Sequence, residues 1–193
     1  MLTTRRLAGL LDALDASPWA AASGRRLARA EAHTPPLYTP DERQRRDSSP
    51  WTLVQGVLAP VQFLVFLVSL GLVFRYFATG EGFAIATASV VLKTFVLYTI
   101  MVTGCVWEKE VFGRYIFAPA FYWEDMFSML VLVLHTAYLV AVFVGIGGAQ
   151  GQMLLALAAY AAYLVNAAQF LLKLRAARRQ EARIGGLGGM RTT

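Results

Sequence analysis

The chain has 193 residues, of which 57% are hydrophobic and 16% charged, and its mean hydropathy is +0.51. A soluble domain usually carries about 25% charged residues; here the apolar residues also come in long runs, which excludes an ordinary soluble fold and points to a membrane protein. The net charge of +6 gathers at the two ends, where basic clusters beside apolar runs set topology or touch anionic lipid rather than bind nucleic acid, and the single Cys105 allows neither an intrachain disulfide nor a thiolate metal site.

Residues 1–36 differ in composition from the rest of the chain. MLTTRRLAGLLDALDA (1–16) has the pattern of a short amphipathic helix lying on a membrane. SPWAAASGRRLARAEAHTPP (17–36) is Ala/Arg-rich and expected to be mobile. Asp12 and Asp15 break the apolar stretch LAGLLDALDA, which argues against a secretory signal. The expected organisation is a basic extension over 1–36, a membrane domain over 37–175, and a basic Gly-rich tail over 176–193.

A bilayer-crossing helix needs ~20 mostly apolar residues. Four segments qualify: about 52–77, 83–107, 127–147 and 152–172. Gly80 and Gly82 punctuate the first short turn, and Gly145, Gly147, Gly148 and Gly151 the second. Pro60 is a candidate kink in the first span. Basic residues flank the start of span one and the end of span four, with Arg75 the one dissenter, so the positive-inside rule places both termini in the cytoplasm. The fold expected is all-α, a polytopic four-transmembrane-helix bundle of an inner membrane.

The connector between spans two and three then faces the cytoplasm as well. It reads VWEKEVFGRYIFAPAFYWEDMF (106–127) and holds Glu108, Glu110, Glu124 and Asp125 among eight aromatic side chains. Polar stripes lead into it from the spans. Gln55, Gln62 and Ser69 recur every seven residues, a drift of only ~20° per step. Lys93, Gly104 and Glu108 share a face of span two. Glu124, Ser128, Val131, His135 and Tyr138 form one ridge of span three, and Tyr163, Asn166, Gln169 and Lys173 one of span four.

Lys93 and His135 fall near mid-bilayer, where a charge costs at least ~2.5–3.5 kcal/mol and normally faces a bundle interior or wet cavity. Lys93 fits either a hydrogen-bond partner of His135 or a counter-charge to Glu108. Blander readings stand beside these. Intramembrane Gln and Asn often only bond neighbouring helices. Trp107 and Trp123 fit an interfacial belt. Lys109 and Glu110 read as solvated charges, and the Ala run of span four as a close-packing surface. No P-loop, dinucleotide Gly-rich loop, Cys/His cluster or HExxH occurs.

Three blocks carry a family resemblance: LYTPDERQRRDSSPWTLVQG (37–56), WEKEVFGRYIFAPAFYWED (107–125) and QMLLALAAYAAYLVNAAQFLLKLR (152–175). Over roughly 37–175 the chain closely resembles the 3-vinyl (bacterio)chlorophyllide hydratase family of purple phototrophic bacteria. The resemblance implies addition of water across the C3 vinyl group of chlorophyllide a or a related Mg-tetrapyrrole, giving a 1-hydroxyethyl group, with no redox change and no added cofactor.

Such a reaction needs a general acid to protonate the terminal vinyl carbon and a base to take a proton from water. Desolvation beside apolar walls favours the protonated form of a carboxyl group. Glu108 beside Trp107, Glu124 beside Trp123, and Asp125 are the catalytic candidates. Trp107, Trp123 and Tyr115, with Phe112, Phe117, Phe121 and Tyr122, are candidates to clasp the pigment. Arg114 is the candidate partner of its propionate, Asn166 and Lys93 are further binding candidates, and His135, or a water on it, the candidate ligand of its magnesium. The non-enzymatic alternative is a tetrapyrrole carrier or assembly factor, and a weaker one a small multidrug-type transporter. The lipid bilayer is an expected partner; other enzymes of the pathway and a second copy, through the Gly and Ala surfaces, are further ones.

Overall fold

In the computed structural model, residues 37–189 are described, with side chains through Arg179. The amphipathic helix and mobile stretch expected over 1–36 lie outside the described residues, as does the end of the C-terminal tail. Five α-helices succeed one another among the described residues: α1 Pro40–Ser48, α2 Pro50–Thr79, α3 Phe83–Phe112, α4 Tyr122–Val144 and α5 Gly148–Gly189. The chain forms two compact units. One is Tyr38–Ala168, which holds α1 to α4 and the first half of α5; the other takes in the helical continuation of α5 from Gln169 onward.

Local chemistry sets the boundaries. Thr39 and Glu42 form a capping box, with Thr39 N donating to Glu42 Oε2 at 2.8 Å and Glu42 N to Thr39 Oγ1 at 3.3 Å, and Pro40 opens α1. Ser49 caps α2 by accepting the Trp51 N–H at 3.2 Å, again with proline next in line. Pro60 is accommodated within an unbroken α2. Gly80, at φ 73°, ends α2 in the left-handed conformation that glycine adopts without steric cost.

Four of the helices are long and apolar enough to cross a membrane: Pro50–Thr79, Phe83–Phe112, Tyr122–Val144 and Gly148–Arg179. The spans read from hydropathy are the same four, with shifted ends. The helix of span two continues five residues past the expected 107, because Glu108, Lys109 and Glu110 are compatible with a helix and the first left-handed glycine comes at Gly113. The helix of span three starts at Tyr122 instead of 127, with Glu124 and Asp125 in the first turn, where the helix dipole favours acids. It stops at Gly145. The connector is therefore only 113–121, and all of the carboxylates expected in it sit on helices instead.

Large apolar side chains such as Leu64, Val68, Leu92, Val133 and Phe143 point outward from α2, α3 and α4. In lipid these give no force for helix association, which rests on packing and on polar contacts between helices. The core supplies both. Phe66, Val73, Ala86, Val90, Leu97, Val131, Tyr138, Met153, Ala156 and Tyr160 form one buried cluster. Ser69 Oγ lies 2.7 Å from Ser89 Oγ and 2.6 Å from Tyr160 Oη, joining α2, α3 and α5. Gln55 Nε2 donates to Thr103 Oγ1 at 2.7 Å, a second bond between α2 and α3. This is the helix-bonding role that the polar spacing allowed for.

Candidate active site

Glu108, Glu124 and Asp125 are buried, with 8%, 3% and 5% of their surface exposed, so all three acids are nearly shut off from bulk solvent. Glu108 comes from the last turns of α3, and the other two from the first turn of α4. The loop 113–121 draws these helix ends together. Phe117 has φ 59° without glycine's freedom. A non-glycine residue held there costs roughly 1–3 kcal/mol and persists only where its surroundings fix it. The Phe117 N–H donates to Asp125 Oδ2 at 2.7 Å, and the next N–H, of Ala118, to Glu108 Oε2 at 3.3 Å. Two consecutive amides thus bind carboxylates from two helices. Both acids also act electrostatically on Cys105, one turn before Glu108.

One wall of this region is aromatic. Tyr38 stacks on Phe112, with ring centroids 5.7 Å apart and planes 16° from parallel. Trp107 meets Phe112 and Phe121 edge-on, each at 5.8 Å. The α1 segment straps the wall to the bundle. Trp107 Nε1 donates to Thr52 Oγ1 at 2.9 Å, while Thr52 Oγ1 donates to the Arg46 carbonyl at 2.6 Å. The Arg46 guanidinium lies 4.6 Å from the Tyr38 ring centroid. Trp107 is thus a packed wall residue with a satisfied N–H, as well as one near the helix end where a belt would run. Tyr38, Thr52 and Ser49 were not singled out from sequence. The signal available was the capping box at Thr39–Glu42, which marks 38–49 as a structured segment rather than a tail.

Trp123, Tyr115 and Arg114 are exposed and stand outside the buried acids. Trp123 meets Tyr122 edge-on at 5.7 Å, and Lys109 Nζ lies 5.2 Å from the Tyr115 ring centroid. Glu110 is exposed, as expected, but its Oε2 accepts from Ser49 Oγ at 2.7 Å.

A second polar centre lies deeper. Lys93 Nζ is 2.8 Å from His135 Nε2, and His135 Nδ1 is 2.8 Å from the Val131 carbonyl. With the carbonyl taking the Nδ1 proton, Nε2 accepts from the lysine. Of the two partners open to Lys93, the structure selects His135. Both ring nitrogens of His135 are thus engaged, and the residue has no exposed surface. Along α4, Glu124 and His135 are ~16 Å apart at 1.5 Å per residue. Between these levels Asn166 Nδ2 donates to Ser128 Oγ at 2.9 Å. Asn166 Oδ1 and Gln62 Oε1 are buried acceptors with no donor among the described residues.

The family model described as 2-vinyl bacteriochlorophyllide hydratase matches residues 38–176. The chain belongs to this family. A 2-vinyl bacteriochlorophyllide hydratase of Cereibacter sphaeroides is 66% identical over 142 residues, covering 74% of this chain and 88% of the relative. One of Rhodobacter capsulatus is 63% identical over 146 residues, 76% of this chain and 85% of the relative. No solved structure matches the chain. The hydratase family match begins at Tyr38, a residue of the aromatic wall, and includes every acid and every aromatic of the site. The protein is therefore an enzyme, a hydro-lyase of bacteriochlorophyll biosynthesis, and its four apolar helices are those of a multi-pass membrane protein.

Proposed function

We propose that this chain adds water to the vinyl group of chlorophyllide a or 3-vinyl bacteriochlorophyllide a, and that Glu108 and Glu124 carry the proton transfers. The relatives' name places the vinyl at position 2; older tetrapyrrole numbering calls 2 the pyrrole carbon now called 3, so both describe one substituent. One carboxylic acid breaks its O–H bond and gives H⁺ to the terminal vinyl carbon, with the π pair forming the new C–H bond. The cation left on the inner carbon is delocalised into the macrocycle. Water attacks that carbon, and its surplus proton passes to the second carboxylate. The net change is one water added, with no electron transferred, and a proton exchange between the two acids resets the site.

The observation that carries this reading is the burial of three acids at the facing ends of α3 and α4, two of them bonded to one loop, beside an apolar aromatic wall. Aromatic faces suit a flat pigment lacking its long alcohol. Asp125 has a different role, since it fixes the strained Phe117 and so places the loop. The acidic end faces the cytoplasm of the bacterial inner membrane, as basic flanks at both ends of the membrane domain favour.

The deciding experiment incubates purified protein with chlorophyllide a. The expected product is heavier by one water and has a blue-shifted red band. Pigment that binds and leaves with unchanged mass would instead make the chain a carrier.

A further inference from the structure

The hydration step uses the carboxylates and gives Lys93 no role. Lys93 is wholly buried near the middle of α3. Among the described residues its ammonium meets one imidazole nitrogen at 2.8 Å and two phenol rings, with centroids at 4.1 Å for Tyr163 and 5.6 Å for Tyr160. No carboxylate is beside it there, and the sequence shows why. Residues 50–80, 82–107 and 126–168 contain no Asp or Glu. A mid-span cation is ordinarily paired with an acid or a backbone carbonyl from a neighbouring helix. The imidazole and the ring faces can hold the ammonium in place, yet they leave its charge uncompensated. An ammonium has three N–H donors, and a single lone pair receives one of them. An anion brought from outside the helices would supply the missing counter-charge.

On the proposed function, the substrate brings one. A chlorophyllide is by definition the pigment without its esterifying alcohol, and so carries a free propionate. We propose that Lys93 binds the free carboxylate of the tetrapyrrole, held in position by His135, while the vinyl group lies at the buried acids. The spacing fits. The two centres are ~16 Å apart along α4. A hydrogen bond of ~3 Å at each end leaves roughly 10 Å, a gap that a tetrapyrrole with an extended propionate spans edge-on. Asn166, with its orphan amide oxygen, bonds Ser128 between the two levels. Tyr160 and Tyr163 pack against both Lys93 and Phe66 in the structure. Space held by side chains can open by rotamer changes without breaking helix hydrogen bonds. Lys93 then sets specificity for the free acid over the ester. Arg114, the other cation considered for this carboxylate, is exposed in the loop.

The test compares chlorophyllide a with its methyl ester as substrates in detergent-solubilised full-length protein, for the wild type, Lys93→Met, Lys93→Arg and Arg114→Ala. The wild type is expected to favour the acid at least tenfold in KM, with similar kcat for both pigments. In Lys93→Met the KM for the acid rises to within about twofold of that for the ester; in Lys93→Arg much of the preference returns. Pigment binding followed by absorbance, with no turnover needed, shows the same pattern even where a variant has lost its chemistry. A wild type without acid preference, a Lys93→Met protein that keeps it, or loss confined to Arg114→Ala overturns the proposal. Each of these outcomes leaves hydration itself standing, whereas a wild type that hydrates neither pigment removes the function and the inference together.

Discussion

Ser49 Oγ donates to Glu110 Oε2 at 2.7 Å across 61 residues of sequence, and the same oxygen caps α2 by accepting the Trp51 N–H. One hydroxyl therefore starts a membrane helix and ties the α1 strap to the end of α3. Ser49→Ala removes both contacts, and losing the cap alone costs about 0.5–2 kcal/mol. Glu110→Gln leaves the cap in place and still offers an acceptor oxygen. The serine variant is expected to lose about 1–2 kcal/mol in unfolding experiments in detergent, and the glutamine variant under about 0.5. Equal losses would mean that the strap is not organised through Ser49.

Asp125 and Phe117 form the loop's main anchor. In Asp125→Ala the Phe117 N–H loses its acceptor, worth about 1–3 kcal/mol for a buried donor, and nothing then holds φ at 59°. The loop relaxes, Ala118 leaves Glu108, and turnover falls at least tenfold. Asp125→Asn presents an amide oxygen at the same place, so stability stays within about 1 kcal/mol of the wild type. Turnover and thermal unfolding of the two variants check this directly. Should Asp125→Asn lose turnover as fully as Glu108→Gln while remaining folded, Asp125 belongs among the proton-transfer groups.

Number and order of the spans follow from hydropathy, because a bilayer demands long apolar helices. The burial of Gln62, Ser69, Lys93, His135 and Tyr138 follows from seven- and eleven-residue spacings that put them on inward faces. The ends of α3 and α4 were misplaced because hydropathy measures membrane depth, whereas a helix runs until something such as Gly113 stops it. The left-handed Phe117 and the Tyr38 stack leave no periodic trace; they depend on contacts between segments far apart in the chain. The choice between Glu108 and His135 as the partner of Lys93 was likewise open, since a shared helix face does not say which neighbouring helix a long side chain meets.

Glu108→Gln and Glu124→Gln each remove one proton-transfer group while keeping shape and polarity. General acid–base groups typically contribute about 10²–10⁴ in rate, so kcat for each variant is expected to drop by at least about a hundredfold. Pigment binding, read from the absorbance band, should stay within about fivefold, since the aromatic wall is intact. Wild-type turnover in both variants rules out the acid–base assignment.

Lys93 and His135 make one hydrogen-bonded unit, so their substitutions should not add. His135→Leu strands the ammonium without its acceptor, and a hydrogen bond to a charged group is worth about 1.5–3 kcal/mol. Lys93→Met costs less, because the imidazole retains the Val131 carbonyl. In the double variant the stranded charge is gone. Its loss of stability is expected to be smaller than the sum of the single losses by at least about 1 kcal/mol. Additive losses would show that the two side chains are neighbours without coupling.

The turns fix which segments share a side of the membrane. Four successive crossings put 80–82 and 145–148 on one face and 113–121, with α1, on the other. On the proposed orientation, which the basic flanks favour, the second face is cytoplasmic. With Cys105 replaced by serine, single cysteines at Glu81 and Ile146 should react with a membrane-impermeant thiol reagent added to intact cells. A cysteine at Arg114 should react only after the membrane is opened. The exposure of all three positions keeps the comparison fair. The opposite pattern would turn the buried acids toward the periplasm, and the pigment would then have to reach Glu108 and Glu124 from that side.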